Sequence, residues 1–446
     1  MSMPWQAAMH RSLYGPGGFF VSGTGPAAHF RTSVHASPIF ASALLGLIAR
    51  VDAALGFPDP FDVVDVGAGR GELLRALSVG VAVGVSGEPA RSGRSGLIPA
   101  RAGSPETLTT TAAVQNADLG VSSPGSVDPS LAAPVQLARR VRFTAVELAP
   151  RPADLPDQIT WTNEIPAGIT GLLLATEWLD NIPLDLATYT EEGWHYLLVD
   201  PASGEETTGG PVSREDADWL ATWWPLPTED GPDVPPQTVT DGSGSTGSGF
   251  RAARPAEGSS LTARSRSGRP ETPTNRSWNP EVRAEIGRTR DEAWAEAVGH
   301  VDRGLALAVD YGHLSAERPV GGSLTGYRGG RQVPPVPDGS CDITAHVAMD
   351  SVASAGERVA RCAYSLGSQR EGLRALGVDG GRPPLSRAGR DPAGYVRALA
   401  EASAAAELTD PAGLGGHWWL WQPVGVPAGR LRSVRSAPED ASGWSR

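Results

Sequence analysis

Apolar positions Leu44, Leu47, Ile48, Val51 and Leu55 recur at helical spacing and predict one helix over residues 38–56. Ser37 and Pro38 suit its cap and first turn, and Gly56 suits its C-terminal stop. The pattern then changes. "FDVVDV" is a short apolar run that ends in glycines, and residues 72–79 read as the following helix. Short apolar or alternating runs predict strands over Val141–Leu148, in "QITWTNEIP", and in "GITGLLLAT" ending near Thr176. "LATYTEEGWHYLLVD" reads as a hairpin with Glu192-Gly193 at its turn. Trp219, Leu220, Trp223 and Trp224 fall on a helical face that Pro225 ends. Asn279-Pro280 opens a helix to about Val301, and "GLALAVDYG" is a buried strand. "GSLTGYRGG" reads as a loop, "CDITAHVAMDSVASAG" as a turn into a helix, and "SLGSQREGLRALGV" as a short helix. Asp391-Pro392 starts another helix. "HWWLWQPVG" closes the series as a strand, with the Trp418–Trp421 cluster in the core. Strands alternating with helices point to an α/β fold with a mainly parallel sheet.

Composition divides the chain. Gly (55) and Pro (39) are high, and residues 80–134 and 226–276 lack periodicity and read as low-complexity insertions. The expected organisation is an N-terminal helical segment (1–58) packed on the core and a first core part (59–225) that carries the irregular insertion 80–134. A disordered insertion (226–276), a second core part (277–424) and a flexible tail (425–446) follow. A net charge of −12 argues against sequence-independent nucleic-acid binding, which needs a basic face. The positive charge is all arginine, since the chain contains no lysine. The cysteines, Cys341 and Cys362, are too far apart for a CxxC metal motif and too few for a disulfide scaffold, so no metal site is expected. A cytoplasmic setting fits. The first residues lack a basic and then an apolar region, so no signal peptide is expected. Arg50 and Asp52 interrupt the longest apolar stretch, which argues against membrane insertion.

The glycine run "GAGRGE" narrows the chemistry. Gly67, Gly69 and Gly71 follow a strand, but Glu72 stands where a dinucleotide fingerprint needs glycine. A Walker loop needs lysine. What remains is GxGxG preceded by Asp65, the spacing of an S-adenosylmethionine loop. That ligand has no pyrophosphate. Its carboxylate suits N–H groups at a helix start. Its ammonium and sulfonium suit a carboxylate such as Asp65. The competing reading is a tight strand–helix turn without a ligand. Glu147, at the end of the next strand, suits the ribose hydroxyls; the first insertion accounts for its distance from the loop. Asp65, Gly67, Ala68, Gly69, Gly71 and Glu147 are therefore the candidate cofactor residues. Asn163 or Glu164 is a candidate for the adenine.

An ordered series of further motifs resembles the MidA-type family of S-adenosylmethionine-dependent methyltransferases. It comprises "YGPGGFF" (Tyr14–Phe20), "HFRTSVHASPIF" (His29–Phe40), the glycine loop, Val146-Glu147 and "TEWLDNIP" (Thr176–Pro183). Asp310-Tyr311-Gly312, "GSLTGY", Asp342–Val347 and "GSQREGLRALGV" complete it. The resemblance implies a Rossmann-like class I methyltransferase fold, with S-adenosyl-L-methionine as cofactor. It further implies methylation of a protein arginine, in the assembly of a respiratory complex. Val34 and His35 replace the family's Pro-Glu, Thr176 replaces Asn, and Gly330 stands near where a His is often found; these departures bear on the substrate.

Methyl transfer to a guanidinium needs carboxylates that orient the side chain and help remove its proton. Glu177 and Asp180 follow a buried strand, three residues apart, and are the candidate catalytic pair. The competing reading makes one a turn cap and the other a surface acid. Asp310 and Tyr311 end another buried strand and line the cleft or satisfy backbone groups. His346 is more simply structural. Two alternatives stay open: a small-molecule methyltransferase, and a cofactor-binding assembly protein without turnover.

Overall fold

The structure is a computed structural model that describes residues 1–22, 33–86, 137–226, 282–378 and 380–426. Most of both expected insertions, the Asn279-Pro280 cap and the tail beyond residue 426 lie outside the described residues.

The core sheet has seven strands. In chain order they are β1 (Phe61–Val66), β2 (Val141–Val146), β3 (Ile159–Thr162), β4 (Ile169–Thr176), β5 (Val301–Asp310), β6 (Ser365–Ser368) and β7 (Trp418–Val424). Their spatial order is β6-β7-β5-β4-β1-β2-β3. The pairs from β3 to β5 are parallel, whereas β7 is antiparallel to β5 and β6. A second, five-stranded sheet is antiparallel and is built mainly from the segment between β4 and β5. The sequence reading expects a mainly parallel sheet; the molecule is a mixed α/β structure with several sheets. The difference arises because Asp185–Thr190 and Gly193–Val199 are joined by a tight turn, which only antiparallel strands accept.

Side-chain alternation explains the layers. Val63, Leu172, Leu174, Leu305, Leu307, Trp419 and Trp421 point to one face of the core sheet. Helices α2 (Pro38–Leu55) and α3 (Glu72–Ser86) cover that face, with α2 burying Phe40, Leu44, Leu47, Ile48 and Val51. Val64, Leu173, Ala306, Ala308 and Leu420 point the other way, against α4 (Arg288–Gly299) and α5 (Met349–Ala360). Ser37 caps α2 by accepting from the Ile39 N–H at 3.1 Å, and Gly56 ends it at φ 79°. By length and composition α2 could cross a membrane, but its apolar face is spent on the core. The first helix, α1 (Trp5–Tyr14), packs elsewhere. Trp5, Met9 and Leu13 meet Leu186, Leu197 and Ile343 of the smaller sheets.

Three local expectations change. The helix after β1 runs to Ser86, so the irregular insertion starts later than residue 80. Residues 283–286 form a strand paired with Asp185–Thr188, and the helix starts only at Arg288. "GSLTGYRGG" is no plain loop: Thr325–Arg328 pairs with Arg331–Val333 and with Asp342–Thr344. For residues 283–286 a ladder partner distant in sequence outweighs local propensity.

The order of strands reverses at β1, which lies between β2 and β4. Ligands of open α/β sheets bind outside the carboxyl ends of strands at such a switch point. The C-terminal ends of β1, β2 and β4 therefore define where the site should lie.

Candidate active site

The glycine loop leaves β1 at Gly67. Gly67, Gly69 and Gly71 have φ of 71°, 59° and 78°, a region that side chains strain to adopt. A Cβ on Gly67 would come within 2.7 Å of Trp178, and one on Gly71 within 2.6 Å of Leu155. Two loop N–H groups are paired with carboxylates of the chain. Gly69 donates to Glu147 Oε2 at 3.0 Å, and Arg70 donates to Glu72 Oε2 at 2.9 Å. The Gly67 and Ala68 N–H groups both donate to the Val146 carbonyl, which locks the loop onto the end of β2.

Glu147 holds the other side of that junction. Its Oε1 accepts from Leu148 at 2.7 Å and Ala149 at 3.2 Å. Burial pushes its carboxyl up, and the backbone donors pull it back. Oε2 accepts one of these bonds, so it retains capacity for a further donor such as a hydroxyl. Asp65 lies beneath the loop and is 2% exposed, with Oδ1 unpartnered. Burial, then the nearby Glu72 and Glu147, push its carboxyl from 3.8 to about 8. An orphaned buried carboxyl under a glycine loop suits a cationic ligand seated above the loop, which it reaches through charge and not through contact.

A cavity of about 730 Å³ opens at this point, within the range of ~300–1,000 Å³ usual for small-molecule sites. Gly67, Gly69 and Glu147 line it together with Asn163, Glu164 and Glu177. Asp65, Ala68 and Gly71 shape the loop without reaching the cavity wall. Among the described residues of the lining, the acidic side chains Glu147, Glu164, Glu177 and Glu296 outnumber Arg70, so this wall favours cations.

Glu177 follows β4 at φ 52°, a strained conformation for a side chain of this kind. Its N–H donates to the Val309 carbonyl at 2.7 Å, and its Oε1 accepts from the Ser33 N–H at 2.9 Å. Burial pushes its carboxyl to about 8; the Ser33 bond opposes this and Asp180 adds to it.

Asp180 does not share the wall with Glu177. It is 1% exposed, and its Oδ2 accepts from the hydroxyls of Tyr311 and Thr344. Its Oδ1 accepts from Asn181 Nδ2 at 2.9 Å. The turn between them is a single 3-10 step, so the two carboxylates diverge. Asp310 accepts from the Leu179 and Asp180 N–H groups and so caps that step. Buried Arg290 donates to the carbonyls of Asp180, Ile182, Ala345 and His346. Asp180, Asp310, Tyr311 and Arg290 thus form the frame behind Glu177. His346 meets Tyr311 edge-on, with ring centroids 5.3 Å apart, and lies off the cavity wall.

The chain from Thr176 to Pro183 therefore serves both wall and frame. Residues that sequence reasoning missed complete the wall: His10, Tyr14 and Phe20 from the N-terminal segment, Trp178 and Asn181 after β4, and His300 after α4. The "YGPGGFF" motif was the available signal for the first group, but spacing alone does not show that it reaches the loop.

Comparison with known proteins agrees with this geometry. Residues 132–366, more than half of the chain, match the profile of the family described as "Putative S-adenosyl-L-methionine-dependent methyltransferase". The chain belongs to that family, the MidA-type methyltransferases. The cofactor expected from the glycine loop, S-adenosyl-L-methionine, is the one the family description names. Two solved structures from Burkholderia thailandensis share the fold. One is a COG1565 superfamily member described as a "likely methyl transferase", bound to S-adenosyl-homocysteine. It is 19% identical, with a TM-score of 0.59, and the match covers 96% of this chain and 89% of that one. The other is a native structure of a protein of the same superfamily, with the same identity and score, covering 96% and 88%. No curated protein matches the chain.

Proposed function

We propose that this MidA-type chain transfers a methyl group from S-adenosyl-L-methionine to an arginine side chain of a protein, in the cytoplasm and in the service of respiratory-complex assembly. One observation carries the reading: a single cavity joins the glycine loop and Glu147 to Glu177. The cofactor, when bound, supplies an electrophilic methyl carbon on a sulfonium. Glu147 holds it through hydroxyl contacts, and Asp65 acts on its cationic part only through charge, from beneath the loop. Glu177 orients the acceptor nitrogen and takes its proton, and a carboxyl that titrates near 8 is a better proton acceptor than an ordinary one. Ser33 fixes Glu177 through its N–H, which donates to Oε1. Trp178 packs on Gly67, and Trp178 and Tyr14 give the cavity apolar ring surface beside the glycine loop. The remaining wall is acidic, which suits a guanidinium.

The test is to incubate the protein with radiolabelled cofactor and a lysate of its source cells, then separate proteins from small molecules. Label in a protein band, as methylarginine after hydrolysis, is the expected result. Label only in the small-molecule fraction overturns the arginine assignment. Absence of cofactor binding by calorimetry overturns the enzyme reading altogether.

A further inference from the structure

The glycine-rich turn after α1 has a structural purpose that the loop chemistry does not use. Gly15 and Gly18 sit where a Cβ would meet backbone carbonyls of Arg11 at 2.5 Å and Leu13 at 2.7 Å, and Gly17 has φ 78°. Only this composition lets the chain fold back tightly enough to return Phe19 and Phe20 to α1. Phe19 buries itself in the α1 cluster. Its ring meets Phe20 edge-on, at 5.3 Å and 78°. Phe20 then lies 5.6 Å from Tyr14 at 31°, and His10 lies 6.0 Å from Tyr14. His10, Tyr14 and Phe20 all line the cavity.

This aromatic wall is tied to the Glu177 end. The Tyr14 hydroxyl donates to the Asn181 carbonyl at 3.1 Å, and Asn181 Nδ2 donates to the Glu177 carbonyl at 3.2 Å. A cavity that combines fixed ring faces with carboxylates selects a flat cation. A guanidinium lies flat on a ring and at the same time bonds a carboxylate in its own plane, whereas an ammonium is drawn to the ring face without stacking on it and gains less from it.

We propose that Phe20 and Tyr14 form the acceptor subsite wall, and that Phe20 sets the preference for a guanidinium over an ammonium. The inference rests on the methyltransferase reading above and adds the residues that choose the acceptor. Phe20 acts through its ring face, so the conservative change Phe20→Leu, which keeps apolar bulk, is the informative one.

The experiment uses the full chain saturated with S-adenosyl-homocysteine. N-acetyl-arginine N-methylamide and its lysine counterpart are titrated in by calorimetry. The wild type should bind the arginine compound more tightly than the lysine compound. Phe20→Leu should lower the arginine affinity about fivefold and the lysine affinity less, so that the preference shrinks as loss of one stacking face requires. Tyr14→Phe, which keeps the ring, should retain the preference. The proposal is overturned if the wild type binds both compounds equally, if it binds neither, or if Phe20→Leu keeps the wild-type ratio. If Phe20→Leu no longer binds S-adenosyl-homocysteine, Phe20→Tyr replaces it, and loss of the preference in that ring-retaining variant overturns the proposal. Failure of the wild type to bind S-adenosyl-homocysteine is a different result, since it overturns the methyltransferase reading itself.

Discussion

Two carboxyls of the candidate site stand out at the level of single residues, and burial pushes both up to about 8 by disfavouring their charge. For Glu177, the proton acceptor must be ionised. We expect kcat/KM for the acceptor to fall as pH drops below about 8. Glu177→Gln should lower kcat by about 10²–10⁴-fold, the usual range for a lost general base. A variant with full activity would remove Glu177 from the mechanism. For Asp65 the linkage concerns stability. Its folded-state value is raised, so folding retains a proton that the unfolded chain releases. The stability it contributes is complete below 3.8 and is lost as pH rises to about 8. Asp65→Asn should flatten that decline in urea-denaturation midpoints measured across the interval, and should weaken cofactor binding. Gly69→Val places a branched side chain at φ 59°, and calorimetry should show cofactor binding abolished.

The informative elements are β4 with the turn that follows it, and α4 behind them. The apolar run over Ile169–Thr176 is legible in sequence because a strand buried on both faces reads as a continuous apolar stretch. The role of α4 is not legible. Its Arg290 lies fully inside the molecule and donates to carbonyls from two separate segments. Burying a guanidinium is costly, and the four carbonyls with Asp180 and Asp310 nearby offset that cost. Arg290→Ala should leave those acceptors and carboxylates uncompensated and destabilise the fold by about 3–5 kcal/mol. Thermal unfolding would show it, and an unchanged Tm would mean that the frame stands without Arg290. Asp180 illustrates the same limit from the other side. Its spacing from Glu177 suggests a shared helical face, but a 3-10 step capped by Asp310 turns it inward.

Taken as a whole, the molecule is acidic, and its cavity concentrates that charge. Fields of this kind raise the encounter rate of cationic ligands and are screened by salt. Stopped-flow measurement should therefore show the on-rate of an arginine peptide falling as ionic strength rises. Equal rates at low and high salt would show that the wall charge does not steer binding.

The sequence by itself determined the elements whose cause is local. These are α2 with its Ser37 cap and Gly56 stop, the buried strands, and the glycine loop whose positive φ angles only glycine tolerates. It also determined the cofactor class, because the spacing of Gly67, Gly69 and Gly71 is a property of one short segment. The tertiary structure alone decided how distant segments meet. It brought α1 and its aromatic turn to Glu177, moved Asp180 into the frame, and paired Arg283–Ile286 with Asp185–Thr190 as a strand. Periodicity reports which face of an element is buried, but which element covers that face depends on contacts between residues far apart in the chain.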